Sequence, residues 1–237
     1  MSSLHGASPH LLAEVTGDAG NPWFSWAYVQ DNADTLTAAL RQHVELTTVS
    51  VLIAVVVAVP LGVLAYRVSW LTGPILALSS VLYTIPSLGL FAILAPFVGL
   101  YATTVVIGLV LYALLVIVRN TLTGLQQVPV EVRDAARGMG YGRLGLLTRI
   151  ELPLSLPSIM TGLRIATVST VAMVTVGSIV GGYGGFGELI LEGFRNNFYK
   201  AQIMTATIAT VLLALVFDLV LAGIGRLITP WSRRRRA

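Results

Sequence analysis

Residues 134–153 read DAARGMGYGRLGLLTRIELP and form the one long polar segment of an otherwise apolar chain. Pro129 is suited to the first position of a helix, and apolar residues follow it at helical spacing, at Val132, Ala135, Ala136 and Met139. Three glycines then interrupt this helix, a second short basic and apolar helix follows, and Pro153 marks the next boundary. The sequence therefore predicts a helix-turn-helix at residues 129–153, which we call the elbow.

The composition indicates that the elbow belongs to a membrane protein. Of the 237 residues, 55% are hydrophobic and 11% are charged, and the mean hydropathy is +0.82, which is too apolar for an ordinary soluble domain. The net charge of +4 does not indicate a nucleic-acid partner, because the basic residues flank apolar stretches. Cysteine is absent and the histidines, His5, His10 and His43, are scattered, so we predict surface histidines and no metal site. We expect an all-α polytopic protein in contact with membrane lipid.

Apolar stretches predict five transmembrane helices. A helix needs about 20 apolar residues to cross about 30 Å of hydrocarbon, and the uncharged run between Arg67 and Arg119 is long enough for two. The predicted spans are residues 46–66, 71–95, 102–118, 157–180 and 201–225, with a tight turn near Gly99. The flanks are predicted as a disordered tail (1–22), an interfacial segment or simple lead-in (23–40) and a basic C-terminal tail (229–237), around a transmembrane domain at 41–228.

The second predicted span is interrupted by a proline. Pro86 leaves backbone groups of this span without a hydrogen-bond partner in the helix, so protein or a water-lined cavity must supply one. A broken helix of this kind is a common way to build a substrate path. The candidate pathway or gate residues are Tyr83, Thr84, Pro86 and Ser87, and the alternative is a packing kink.

The basic residues predict the orientation, because Lys and Arg accumulate at cytoplasmic loops and ends. Three lie on one side, Arg41, Arg195 and Lys200. Twelve lie on the other, Arg67, Arg119, Arg133, Arg137, Arg143, Arg149, Arg164, Arg226 and Arg233 to Arg236. We therefore predict a cytoplasmic elbow and C-terminus, with the N-terminus outside. The glycine-rich loop at 181–187 is then external, and is expected either to close the outer mouth or contact a delivery protein, or to form a plain turn.

Two ionisable residues lie inside predicted spans. Arg164 and Asp218 are each predicted about 10 to 12 Å above the cytoplasmic boundary, at about 1.5 Å per residue. Isolated charges at that depth are costly, so opposite charges at matched depth favour a pair. We predict an ion pair between the fourth and fifth spans, with either a structural or a gating role.

The elbow resembles the cytoplasmic loop of ABC importer permeases, whose pattern is Glu-Ala-Ala, three residues, Gly, nine residues and Ile-x-Leu-Pro. Aspartate replaces the usual glutamate, and the pattern falls on Asp134, Ala135, Ala136, Gly140, Ile150, Leu152 and Pro153. Further stretches resemble the osmoprotectant branch of that family, at residues 83–88, 119–121, 162–164 and 187–188. The resemblance covers about residues 46–218.

The resemblance implies the type I ABC importer permease fold, in which the elbow carries a coupling helix that docks onto a separate ATPase. The implied partners are ATP-binding cassette ATPase subunits, a second permease subunit that is a copy or a paralogue, and an extracytoplasmic solute-binding protein. This sequence has no phosphate-binding loop and no nucleophile–base arrangement, so ATP and Mg are expected on the ATPase and no cofactor or enzymatic activity on this chain. The implied location is the bacterial cytoplasmic membrane, crossed several times.

The branch implies import of osmoprotectants such as glycine betaine, choline or carnitine. Selection of a quaternary ammonium is expected from an aromatic cage in the binding protein, so this chain does not itself name the solute. One alternative is the same machinery with another cargo, such as an amino acid, a methionine-like compound or a phosphonate. The other is an ion-coupled secondary transporter or a channel subunit.

Overall fold

The computed structural model describes residues 20–181 and 184–231. Outside the described residues lie most of the predicted N-terminal tail (1–19), two residues of the glycine-rich loop (182–183) and the basic run at the C-terminus (232–237). The expectations for those three segments stay predictions.

The described part of the chain folds into ten α-helices. They are α1 Trp26–Asp31, α2 Ala33–Arg67, α3 Ser69–Thr84, α4 Ser87–Val98, α5 Ala102–Gln126, α6 Val130–Gly138, α7 Arg143–Leu146, α8 Leu152–Gly181, α9 Phe186–Arg195 and α10 Lys200–Ile228. A π-helical turn, Leu147–Glu151, joins α7 to α8. Among the described residues, four helical runs are long and apolar enough to cross a membrane, namely α2, α5, Arg143–Ser178 and α10, and α3 with α4 makes a fifth candidate. The predicted all-α polytopic fold is confirmed.

The first long helix starts earlier than the apolar pattern indicated. α2 begins at Ala33, inside the segment predicted to be interfacial, and runs without interruption to Arg67. The apolar stretch is limited on its N-terminal side by three charged residues, Asp34, Arg41 and Glu45. Charged residues of this kind do not end a helix. Hydropathy therefore located the membrane-crossing part of α2 and missed its polar first turns.

The predicted second span is not one straight crossing. It forms α3 and α4, which are bent by 98° relative to each other. Ile85 has extended backbone angles (φ −64°, ψ 128°), as the residue before a proline prefers, and Pro86 then leads into α4. The interruption was predicted from Pro86, whereas its near right angle was not.

Pro153 does not mark a boundary, contrary to the prediction. α7, the π-helical turn and α8 follow one another without a gap, so Pro153 lies within a continuous helical run. A proline ring in a helix clashes with the carbonyl four residues earlier, here that of Arg149. Arg149 lies in the π-helical turn, whose wider winding gives that carbonyl room.

The centre of the bundle is α5, which packs mainly against α2 and α8. Ala54 and Ala58 of α2 are fully buried against Ile117 and Val118 of α5. Small side chains at such a contact let two helices approach closely, which is how helices associate in a membrane. In contrast, α10 exposes most of its apolar surface, including Val211, Leu212, Leu215, Val216 and Leu219.

Candidate functional site

The first helix of the elbow, α6, is a short polar helix that contacts the end of α2. Pro129 precedes it, Glu131 lies in its first turn and Arg137 in its last, which suits the helix dipole at both ends. Arg137 also pairs with Asp134 at 2.9 Å. Both side chains of this pair are exposed, so it contributes little to stability. Asp134 is therefore available at the surface.

Gly140 ends α6 in a conformation that other residues rarely adopt. Its φ is +86°, and a Cβ built there would meet open space. The Gly140 N–H donates to the Arg137 carbonyl at 2.9 Å and the Tyr141 N–H donates to the Ala136 carbonyl at 3.1 Å. These two bonds form a Schellman motif, which satisfies the last carbonyls of a helix. The glycine is therefore required by backbone geometry and not by crowding.

Several apolar side chains of the elbow are exposed. Ala136 is buried, but Val130, Val132, Met139 and Leu144 are exposed, Met139 and Leu144 by 70% and 72%. Apolar side chains clustered on an exposed, otherwise polar surface mark contact sites for another protein. The other pattern residues are less prominent, since Ile150, Leu152 and Pro153 are half-buried and Ala135 is exposed.

Glu151 fixes the elbow to the end of α2. Its side chain is 2% exposed, and it accepts hydrogen bonds from Arg67 at 2.8 Å and from the Tyr66 hydroxyl at 3.0 Å. Arg133 of α6 donates to the same Tyr66 hydroxyl at 2.7 Å. The Arg67 guanidinium also donates to the Arg143 carbonyl at 3.1 Å. Tyr66 and Arg67 at the end of α2 thus bind the buried carboxylate, α6 and the start of α7 in one network.

Sequence reasoning missed Glu151. It occupies the variable position of the Ile-x-Leu-Pro pattern, and its partners Tyr66 and Arg67 lie 85 and 84 residues earlier. The one available signal was its type, an acidic residue at the start of an apolar stretch that must find a partner when buried.

The candidate pathway residues lie at the bend between α3 and α4. Thr84 ends α3 and Ser87 begins α4, so both flank the bend. The Tyr112 hydroxyl donates a hydrogen bond to the Ile85 carbonyl, which the break in the helix leaves without an intrahelical donor. The Tyr83 and Tyr112 rings meet edge to face, with their centroids 5.9 Å apart. Protein groups therefore satisfy this end of the break, as a proline inside a membrane requires.

The structure brings Arg164 of α8 and Asp218 of α10 together. The guanidinium Nε donates to Oδ1 at 2.8 Å and Nη2 donates to Oδ2 at 2.7 Å, a side-on bidentate pair. The two side chains are 40% and 32% exposed, and they open into a groove of about 650 Å³ between α8 and α10. None of the elbow residues lines this groove.

His43 is buried, so the predicted surface position is wrong for this histidine. Its Nε2 lies 2.9 Å from the Val171 carbonyl and its Nδ1 accepts from the Phe186 N–H at 3.4 Å. The neighbouring Gln42 accepts from the Gly185 N–H at 2.9 Å. His43 and Gln42 together bind the backbone at the start of α9, at the end of the bundle opposite the elbow. A histidine on an apolar helix face gave no sign of these distant backbone partners.

The aromatic segment before α2 is tied to the chain between α9 and α10. Asn21 donates to the Phe198 carbonyl and accepts from the Lys200 N–H, both at 2.9 Å. The Lys200 ammonium lies 5.0 Å from the centroid of the Trp23 ring, within cation–π range. Burial raises the pKa of the Tyr28 hydroxyl on α1. Trp23 itself is more than half exposed, which suits the interfacial position predicted for this segment.

Comparison with known families matches residues 36–234 to the family described as binding-protein-dependent transport system inner membrane component. The chain is 35% identical over 208 residues to the glycine betaine/carnitine/choline transport system permease protein OpuCD of Bacillus subtilis, covering 88% of this chain and 90% of that protein. It is also 35% identical over 208 residues to the osmoprotectant import permease protein OsmW of Salmonella typhimurium, covering 86% and 96%.

Solved structures share the fold. The chain superposes on a chain of the inward-facing MetNI methionine ABC transporter with a TM-score of 0.77 and 21% identity, covering 84% of this chain and 98% of that one. It superposes on a chain of an amino acid ABC transporter with histidines with a TM-score of 0.70 and 15% identity, covering 85% and 98%.

Proposed function

This chain belongs to the family of binding-protein-dependent transport system inner membrane components, and on that premise we propose that it is the permease subunit of an ATP-driven osmoprotectant importer. It is a multi-pass protein of the inner membrane and not itself the enzyme that hydrolyses ATP. The cargo we propose is glycine betaine, carnitine, choline or a similar solute. The names of relatives at about 35% identity over most of the chain support that cargo.

The elbow is the observation that carries the coupling role. α6 presents exposed apolar side chains beside Asp134, Ala135 and Ala136, and Gly140 gives it a sharp end. Arg133 of this helix donates to Tyr66 at the end of α2, and the buried Glu151 accepts from the same Tyr66 and from Arg67. A partner that pulls on α6 would therefore move the end of α2 with it. We propose that this partner is an ATPase subunit that carries ATP and Mg.

The remaining partners follow from orientation and exposure. The charge asymmetry predicts a cytoplasmic elbow, so we propose that a solute-binding protein docks at the opposite end of the bundle, where α9 and the aromatic segment around Trp23 lie. α10 exposes a continuous apolar surface that needs lipid or protein to cover it. A second permease subunit, a copy or a paralogue, would cover that surface and enclose a path.

Uptake by reconstituted vesicles tests the function. The purified complex of permease, ATPase and binding protein is expected to import labelled glycine betaine, choline or carnitine only when ATP and the binding protein are both present. Uptake that persists without ATP would favour a secondary transporter or channel. ATP-dependent uptake of an amino acid, with no uptake of these three solutes, would support an ATP-driven importer with a different cargo.

Gly140 gives a separate test of coupling. Replacing Gly140 with valine is expected to cost about 2 kcal/mol, because a β-branched residue is forced to a positive φ. The end of α6 would then distort, and copurification of the ATPase is expected to fall severalfold. Quantitative pull-down of the ATPase by the tagged permease measures this.

Gly138 supplies the matched control for that test. It also has open space around its Cβ position but lies within α6. Gly138→Ala is therefore expected to leave the fold intact and to stabilise α6 by up to about 1 kcal/mol. Equal ATPase recovery with Gly140→Val and Gly138→Ala would show that the end of α6 does not form the docking surface.

A further inference from the structure

The groove between α8 and α10 holds a charged pair inside a stretch that crosses the membrane. Its walls are mostly apolar, from Ile165 and Val168 on α8 to Val211 and Leu215 on α10. Arg164 and Asp218 are exposed into it by 40% and 32%. Charged side chains at membrane depth face a protein partner or a water-filled cavity and not lipid, because lipid cannot solvate them. The groove therefore opens to a wet or protein-lined space.

The groove also adjoins the bend between α3 and α4. Ser169 of α8 lines the groove on one side and, on the other, a cavity of about 20 Å³ that Tyr83 and Tyr112 also line. The groove that holds the charged pair and the cavity at the bend thus meet at this one residue of α8. This adjacency favours the view that the groove belongs to the translocation path.

The pair has a definite electrostatic character. Its net charge is zero, but the guanidinium and the carboxylate lie side by side and form a strong local dipole. Two nitrogens of Arg164 are used by Asp218, and Nη1 has no hydrogen-bond partner among the described residues. Arginine binds carboxylates well through such free donors. A cation alone would gain little here, because the adjacent guanidinium repels it.

We propose that the Arg164–Asp218 pair is a recognition site for zwitterionic solutes passing through the permease. The solute carboxylate lies against Arg164 and its quaternary ammonium lies against Asp218, so the two dipoles run antiparallel. This selects a zwitterion such as glycine betaine over a simple cation such as choline. The inference rests on the proposed osmoprotectant function and adds to it a site and a basis for selectivity within the membrane.

Two single variants in the complete complex test the proposal, with vesicle uptake of glycine betaine and choline as the readout. Arg164→Gln leaves the Asp218 carboxylate alone, so the ratio of betaine to choline uptake is expected to fall about tenfold. Asp218→Asn leaves the guanidinium alone, and the ratio is expected to rise. Because the binding protein is the same in every assay, a change in ratio reports the permease. Arg119→Gln makes the same change of charge on an exposed side chain of α5 outside the groove and is expected to leave the ratio unchanged.

The outcomes separate the proposal from its premise. If the wild-type complex imports neither solute, the osmoprotectant cargo is wrong and the site assignment is overturned with it. If the wild type imports both solutes and each variant lowers the uptake of betaine and of choline by the same factor, the pair has only a structural role. Should a single variant fail to assemble, Arg164→Gln combined with Asp218→Asn keeps the net charge at zero. That double variant is expected to lower betaine uptake more than choline uptake, and an unchanged ratio would overturn the proposal.

Discussion

Replacing Glu151 with alanine is expected to lower the free energy of unfolding by about 3 kcal/mol. Its carboxylate is almost fully buried and accepts from both Arg67 and Tyr66. Removing it leaves the Arg67 guanidinium without its partner, although Arg67 is 30% exposed and water recovers part of the loss. The expected cost is therefore near the lower end for a broken buried pair. Thermal unfolding of the purified complex measures the shift.

Glu45 provides the control for this substitution. It lies on α2 and is exposed, so Glu45→Ala is expected to change stability by less than about 0.5 kcal/mol. Glu151→Gln keeps the size of the side chain and an acceptor for Tyr66. Its loss of stability should therefore fall between those of Glu151→Ala and Glu45→Ala. Equal melting temperatures for Glu151→Ala and Glu45→Ala would contradict a stabilising role for the network.

The same variants separate coupling from stability. If the network around Glu151 transmits movement of the elbow to α2, then Glu151→Gln should still assemble with the ATPase but import fewer solute molecules per ATP hydrolysed. A purely structural role would lower import and hydrolysis in proportion. The stoichiometry measured in vesicles at a temperature well below unfolding distinguishes the two.

The elbow could be predicted from sequence because its determinants are local. A proline before α6, apolar residues at helical spacing and a glycine at its end act within a few residues of one another. The long apolar helices were predictable for a similar reason, since one helix must satisfy all its backbone groups internally to cross the bilayer. The pairing of Arg164 with Asp218 was inferred from matched depth, and the structure places them in contact.

The features that were missed depend on partners far away in the chain. Glu151 is buried against Arg67 of α2, and His43 of α2 is buried against Val171 of α8 and Phe186 of α9. None of these contacts leaves a spacing to recognise in the sequence. The error at Pro153 has a different origin. A proline usually ends a helix, but the π-helical turn before it removes the steric reason for stopping.

Gly187→Ala is expected to destabilise the end of the bundle opposite the elbow by about 3 kcal/mol. A Cβ at Gly187 would lie 2.1 Å from the backbone oxygen of Thr175, so α9 would have to move away from α8. Phe186 and Leu189 are buried in the cluster that α9 shares with α10, and they would move with it. A backbone oxygen within a helix cannot be displaced as a flexible side chain can. Thermal unfolding should show the loss directly.

Gly223 of α10 tests whether this loss comes from crowding. It is also a helical glycine, but a Cβ there meets nothing within 4 Å, so Gly223→Ala should leave the complex as stable or raise its stability by up to about 1 kcal/mol. Displacing α9 would also loosen the backbone that His43 and Gln42 hold. Import by Gly187→Ala should therefore fall while ATPase copurification, which depends on the elbow, stays near wild type. Loss of ATPase binding in this variant would mean that the two ends of the bundle do not act independently.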